Sequence, residues 1–436
     1  MLDSIVRPII DVPLTELSRH LVRIGVSANL MTLLGLTMGL GSGVTASIAR
    51  FIGEKDKVSA DNSAEHALAM AGLISFVSTL LGIFYGKQIL MFLGAKSVIL
   101  EQAWDYLSMI IIGLPFMVFS GFFRSILAGE GDMKFPMMIA GLGTILNIIL
   151  DPIFIFKLEQ YGNIGLGLGV RGAALATVIS QLIVFIIFVY MLFVKKHAYI
   201  TFNLKDFSPS KAILWDIVKV GMPASLSMVI MAMGQGVFNK ILINYSSETV
   251  AAYQVAGRID MLIFLPIFAI AGAMTTLVGM FYGAKELSAL NQVIHYGIKS
   301  AFLITLIAST FVYFFAESFS SFFTKDQEII NVSVGFLKLL CLVYPLVAIA
   351  ITSGRVMQGL GRGLPVLIIT IVRVLGISAP LAIYFSTFLN KPVEWNWYAM
   401  MIGAVTAFLI AINWMRVELK KVNNFKEENL EPITQE

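Results

Sequence analysis

Eleven stretches of mostly apolar residues dominate the sequence, and each is long enough to cross about 30 Å of hydrocarbon as an α-helix. Of the 436 residues, 58% are hydrophobic and 13% are charged, whereas a soluble domain has roughly a quarter charged residues. A bilayer tolerates that much apolar surface, and a soluble core does not. The sequence therefore predicts an all-α polytopic membrane protein. The predicted spans lie near residues 24–49, 64–94, 102–128, 135–157, 171–194, 213–244, 250–280, 291–315, 330–354, 364–387 and 394–415.

An internal repeat divides the chain into two halves, because the sequence matches itself without a gap at an offset of 230 residues. We therefore expect two parallel-repeat six-helix lobes, at 1–200 and 201–419, and a tail at 420–436. The counterpart of residues 213–230 would precede Met1, so the first helix of the first lobe is expected to be largely missing, leaving about eleven full transmembrane helices. The matching pairs are Thr45 and Thr275, Phe51 and Phe281, Gly53 and Gly283, Lys55 and Lys285, Phe92 and Phe322, Pro115 and Pro345, Gly129 and Gly359, and Gly131 and Gly361.

Charged residues predict the orientation of the chain and exclude several classes of function. Lysine and arginine fall mainly in alternate connections, which are therefore expected to be cytoplasmic together with the C-terminal tail. The net charge is only +4 and the positive residues lie at span ends, which speaks against a nucleic-acid partner. The four histidines are scattered and Cys341 is the one cysteine. We expect a protein that is not an enzyme, has no cofactor and has no metal site apart from a possible Na⁺ at the acid described next.

Asp151 is the clearest candidate for a functional charge inside a span, because a charge at the bilayer centre costs roughly 2.5–3.5 kcal/mol. Asn147 lies four residues earlier, so the two polar side chains share a helix face. Pro152 lacks a backbone N–H and leaves a carbonyl in the preceding turn without its usual donor. This pattern predicts a site at which Asp151 accepts H⁺ or Na⁺. The alternative is that Asp151 lies at a helix end, where it is capped and exposed to water beside the 158–165 connection.

Two further residues of the first half are candidates, each with a structural alternative. Asp3 lies in an apolar segment at the start of the chain, where a terminus is usually solvated. Thr177 lies on a face of small residues, and helix packing explains it at least as well as ion coordination does. The repeat pairs Asp151 with Leu381, so an ion site is expected in the first lobe alone.

Polar residues in the spans of the second half predict a substrate cavity. We assign Arg258, Asp260, Arg373 and Gln235 to it. Anchoring at the membrane surface explains Arg258 and Asp260 about as well as substrate contact does. Arg373 lies deeper in its span and is expected to pair with another group.

Several motifs together resemble the multidrug and toxic compound extrusion (MATE) family. The resemblance covers essentially the whole chain. Within the family, the chain is more similar to the prokaryotic DinF-like branch. It implies a twelve-helix, two-lobe antiporter whose ion site, residue by residue, falls on Asp3, Asn147, Asp151 and Thr177. The chain departs from the family at its start, where the body of the first helix is missing. The motifs are Gly41 to Asp56, Arg124 to Pro136, Asn147 with Asp151 and Pro152, Gly172 to Thr177, Gly221 to Pro223, and Ala252 to Arg258.

We therefore expect secondary active efflux of small amphipathic or cationic compounds in exchange for H⁺ or Na⁺. The resemblance implies a monomer in the cytoplasmic (inner) membrane of a prokaryote, with membrane lipid and a small-molecule substrate as its partners. Two alternatives are a flippase for a lipid-linked oligosaccharide, from the same superfamily, and a truncated remnant that does not transport.

Overall fold

The computed structural model describes residues 26–92, 97–156, 165–203 and 207–428. We label its helices α1 to α12 in chain order, counting the run Leu364–Phe388, which alternates between α- and π-helix, as one. The bounds are α1 Val26–Gly53, α2 Lys57–Phe92, α3 Ser97–Gly129, α4 Lys134–Ile155, α5 Gly169–Val189 continued by a π-turn at Tyr190–Val194, α6 Lys211–Leu242, α7 Ser247–Gly283, α8 Leu287–Phe323, α9 Gln327–Cys341, α10 Tyr344–Gly359, α11 Leu364–Phe388 and α12 Glu394–Glu428.

The predicted all-α membrane fold is confirmed. Within the described residues, nine helices are long and apolar enough to cross a membrane, and α9 with α10 makes a tenth if the bent pair is one span. The first predicted span corresponds to α1, which begins at the edge of the described residues. The count of eleven stays a prediction.

The span predicted near 330–354 is not one straight helix, because α9 and α10 meet at an angle of 59°. Pro345 lies in the first turn of α10, where a residue without a backbone N–H is tolerated. In the interior of a helix continuing from α9, the same proline would remove a backbone hydrogen bond. The hydrogen bond from Val343 N to the Leu340 carbonyl, at 3.0 Å, closes the turn between the two helices.

The chain forms two compact units. The first consists of Met1–Gly41, Ala64–Leu127 and Asp132–Pro209, and the second of Ser42–Ser63, Ala128–Gly131 and Ser210–Glu436. The division into lobes at residue 200 stays a prediction.

In the first unit, small residues allow α4 and α5 to pack closely. An added Cβ on Gly172 of α5 would overlap the backbone carbonyl of Phe154 in α4. Gly143 of α4 faces Val184 of α5 in the same way, with a Cβ-to-Cγ2 separation of 2.6 Å if Gly143 were alanine. Backbones approach this closely in membrane helices where small residues line the contact. The close contact fixes the register of the two helices that carry Asn147, Asp151 and Thr177.

In the second unit, the repeated Phe-x-Gly-x-Lys motif forms a reciprocal helix crossing. An added Cβ on Gly53 would overlap the Met280 carbonyl, and one on Gly283 would overlap the Arg50 carbonyl. Lys55 and Lys285 follow the two helix ends with φ of 60° and 58°. The two copies of the motif therefore share one backbone conformation, as a duplication predicts.

Candidate functional site

Three of the four residues predicted for the ion site come together in the first unit. The Asn147 side-chain amide donates to Asp151 Oδ1 at 3.4 Å and to Thr177 Oγ1 at 3.4 Å. The Thr177 hydroxyl donates to the Ala173 carbonyl at 3.0 Å, so its oxygen is free to accept from Asn147. Asn147 therefore links α4 to α5. Asp3 lies outside the described residues.

Asp151 lies one turn before the end of α4 and is half-buried. Within the described residues it forms no ion pair with a lysine, arginine or histidine, and Arg171, at the start of α5, pairs with Asp105 at 3.7 Å. Pro152 has no N–H to donate to the carbonyl of Ile148, four residues before it. The site thus presents carboxylate, hydroxyl and carbonyl oxygens, which are among the ligands that hard cations prefer, and the Asn147 amide oxygen joins them only if the side chain rotates.

No group of three or more His, Cys, Asp or Glu side chains that could hold a metal ion occurs in the described part of the chain. The candidate site contains one carboxylate with neutral oxygens around it. Such a set suits a proton or a singly charged ion better than a divalent one, because a divalent ion usually takes several carboxylates.

The predicted substrate residues of the second unit separate into an inward group and an outward one. Asp260 of α7 accepts a hydrogen bond from the Tyr344 hydroxyl of α10. Tyr253 lies within electrostatic reach of both Asp260 and Arg373, and Arg373 belongs to a π-helical turn, Val372–Ser378, in α11. π-helical turns are frequent at functional sites.

Arg258 and Gln235 do not join that group through any hydrogen bond in the residues the structure describes. Arg258 is exposed, with its guanidinium 5.9 Å from the ring centroid of Phe323. Gln235 is exposed on α6. The exposure of Arg258 therefore favours anchoring at the membrane surface. The hydrogen bond from Tyr344 instead favours a position of Asp260 inside the helix bundle.

Sequence reasoning missed a buried ion pair in the second unit. The Arg50 guanidinium contacts the Asp216 carboxylate and donates to the Gly359 carbonyl at 3.3 Å. Asp216 also pairs with Lys219 at 2.6 Å. A signal that could have found the pair is Asp216 itself, an acid in the second turn of a span.

Comparison with known proteins places these observations in one family. A family model described as MatE matches residues 22–153 and 223–384, one stretch in each half. The probable multidrug resistance protein NorM of Thermotoga maritima is 28% identical over 364 residues, which cover 83% of this chain and 77% of that protein.

Two solved structures give the same result. A crystal structure of MATE in complex with MaD3S has a TM-score of 0.87 and 33% identity, covering 93% of this chain and 89% of the other. A MOP superfamily transporter from Pyrococcus furiosus, whose binding pocket is described as having reverse polarity, has a TM-score of 0.87 and 32% identity over 93% of this chain and 88% of that one.

Proposed function

The chain belongs to the MATE family of multidrug efflux transporters, and on this premise we propose that it expels small amphipathic or cationic compounds in exchange for H⁺ or Na⁺. Members of the family are multi-pass membrane transporters and not enzymes. The proposal places this chain as a monomer in the cytoplasmic membrane of a prokaryote, with its C-terminus in the cytoplasm.

The observation that carries the proposed ion coupling is the network of Asp151, Asn147 and Thr177. A carboxylate in an apolar span is costly when charged, and binding of H⁺ or Na⁺ removes that cost. The free energy of the site thus depends on whether an ion is bound, which is the condition for coupling.

Asn147 supplies the structural response to the ion. In the described geometry its amide N–H group points at the oxygens of Asp151 and Thr177. A bound Na⁺ needs an oxygen ligand there, and a proton on Asp151 Oδ1 needs an acceptor, so in both cases we expect the amide to turn its oxygen inward. That rotation breaks the N–H contact to Thr177 and changes the link between α4 and α5. Ion binding is thereby converted into a change in helix packing.

Substrate recognition is proposed for the group around Asp260 in the second unit. A carboxylate beside the aromatic side chains of Tyr253 and Tyr344 suits an organic cation with an apolar body. Arg373 in the same region would raise the cost of binding a cation unless the substrate also carries an acceptor. An amphipathic cation that also carries a hydrogen-bond acceptor could pair with both the Asp260 carboxylate and the Arg373 guanidinium.

The test uses proteoliposomes loaded with a fluorescent cation and driven separately by a pH gradient and by a Na⁺ gradient. The wild-type chain should respond to one gradient, and Asp151→Asn should abolish that response with normal expression. Asp105→Asn is the matched control, since Asp105 is another helical acid of the first unit but already has Arg171 as its partner. Undiminished gradient-driven transport by Asp151→Asn would refute the assignment.

A further inference from the structure

A cleft of about 860 Å³ opens between α7 and α8 in the second unit, near the start of α8. Its α7 wall is apolar and includes Ile270, Ala273 and Leu277. Its floor is closed where Gly297 of α8 meets Met274 of α7, because an added Cβ on Gly297 would overlap the Met274 sulfur. The cleft therefore has an apolar wall on α7 and ends where the two helices are in close contact.

Most of the surface that lines the cleft is apolar, but its α8 wall includes polar and basic residues. Asn291, His295 and Lys299 follow one another at intervals of four residues, so they share one helix face, and all three are exposed. Tyr296 beside them is 75% exposed. In the described part of the chain, no acid forms an ion pair with Lys299 or His295.

The polar face lies at the level of a membrane surface. α8 has 37 residues and, at 1.5 Å per residue, is about 55 Å long, which exceeds the roughly 30 Å of hydrocarbon. The uncharged, mostly apolar run of α8 extends from Ala301, two residues after Lys299, to Ala316. We therefore expect Lys299 and His295 to lie among lipid head groups, with the apolar wall of α7 beside the first part of the acyl chains.

The equivalent face in the first half is covered by the chain itself. The repeat pairs His295 with Glu65 and Tyr296 with His66, and both first-half residues are buried. The Glu65 carboxylate accepts from the Asn203 backbone N–H at 2.8 Å, and His66 packs on Phe207 with 5.0 Å between ring centroids. In one half this face, with Glu65 and His66, is thus covered by the chain at Asn203 and Phe207. A basic face is open in the other.

We propose that the α7–α8 cleft binds an anionic phospholipid, with its phosphate against Lys299 and His295 and an acyl chain along Ile270, Ala273 and Leu277. Basic pockets between helices on the cytoplasmic side are the kind of site that binds anionic head groups. The predicted orientation places the Gly283–Leu287 connection, and so this cleft, on that side. Asn291 and Tyr296 also line the cleft and could supply further polar contacts to a head group.

Native mass spectrometry of the full chain, released from detergent with phosphatidylglycerol or phosphatidylcholine, tests this proposal. Wild type should retain phosphatidylglycerol in preference to phosphatidylcholine. Lys299→Ala should weaken phosphatidylglycerol binding about fivefold, the effect of one basic residue near an anionic surface. Lys299→Arg keeps the charge and should bind nearly as wild type does.

Lys420→Ala is the matched control, because Lys420 is an exposed lysine on the same predicted side of the membrane but does not line the cleft. Lys420→Ala should bind phosphatidylglycerol as tightly as the wild type does. Equal losses in Lys420→Ala and Lys299→Ala would mean that general surface charge holds the lipid, and would overturn the proposal. So would equal retention of the two lipids by wild type, or displacement of the lipid by millimolar glycerophosphate, which would indicate a site for soluble anions.

Discussion

The buried pair of Arg50 and Asp216 predicts that removal of its two partners has unequal costs. Asp216→Ala leaves the Arg50 guanidinium, whose side chain is 8% exposed, with the Gly359 carbonyl at 3.3 Å as its hydrogen-bond acceptor within the described residues and with Glu54 within electrostatic reach. Breaking a buried ion pair in this way costs about 3–5 kcal/mol. Arg50→Ala leaves the Asp216 carboxylate beside the Lys219 ammonium at 2.6 Å, so the charge that remains is still paired. For this variant we expect a loss of about 1–3 kcal/mol, the cost of an unmet buried polar group.

Titration of the purified protein with SDS in mixed micelles, followed by tryptophan fluorescence, measures the free energy of unfolding of each variant. The double variant should cost less than the sum of the single ones, because neither charge is then left alone. Lys421→Ala is the control, since Lys421 pairs with Glu418 at 2.8 Å but is 63% exposed, and it should cost under about 1 kcal/mol. A cost for Arg50→Ala equal to or above that for Asp216→Ala would refute the reasoning, because Lys219 would not be compensating the carboxylate.

Three further predictions concern the first half. Gly172→Ala should destabilise the protein by about 1–3 kcal/mol in the same titration and weaken ion coupling, since its Cβ would overlap the Phe154 carbonyl, whereas Gly141→Ala, with nothing within 4 Å, should do neither. Thr177→Val should weaken the coupling ion's apparent affinity about tenfold, measured as the half-maximal ion concentration for transport, and Thr177→Ser should restore it. Hydrogen bonds from the Ser59 hydroxyl and backbone lower the pKa of Asp56, so its stabilising contribution is present above the ordinary aspartate pKa and is lost as pH falls through the lowered value. Asp56→Ala should therefore cost about 1 kcal/mol at pH 7, and the difference from wild type should vanish in strong acid.

The local parts of the candidate ion site could be predicted from the sequence because helix geometry determines them. Asn147 and Asp151 are four residues apart in one helix, and they form the expected contact at 3.4 Å. Thr177 is 30 residues from Asn147, and its small-residue face indicated helix packing at least as well as ion coordination. Its position against Asn147 depends on how α5 packs on α4, which periodicity alone does not encode.

The contact between Tyr344 and Asp260 could not be predicted in the same way. The two residues are 84 positions apart, on helices α10 and α7. Tyr344 also follows the break between α9 and α10, where the apolar run predicted one continuous span. Pro345 was visible in the sequence, but its repeat partner Pro115 lies inside the unbroken helix α3. A proline permits a break at that position, and packing of the rest of the helix decides whether one occurs.

Asp151 in the first half and Asp260 in the second are candidate functional carboxylates at positions that the repeat does not relate. Asp151 corresponds to Leu381, whereas Asp260 and its donor Tyr344 correspond to Leu30 and Leu114. A duplicated protein with the acids at different positions can assign them different tasks, and we expect ion coupling at Asp151 and substrate binding at Asp260. Asp260→Asn preserves the size of the side chain and still accepts from the Tyr344 hydroxyl, so the fold should remain.

This variant should weaken binding of a cationic substrate about tenfold, measured by fluorescence polarisation in detergent, with the dependence of transport on the ion gradient retained. Asp151→Asn should show the reverse, with near-normal substrate binding and no response to the gradient. The two assays together separate a loss of coupling from a loss of recognition. If both variants lose gradient dependence while both still bind substrate, then the two carboxylates serve one ion pathway, and the division of tasks between the halves is wrong.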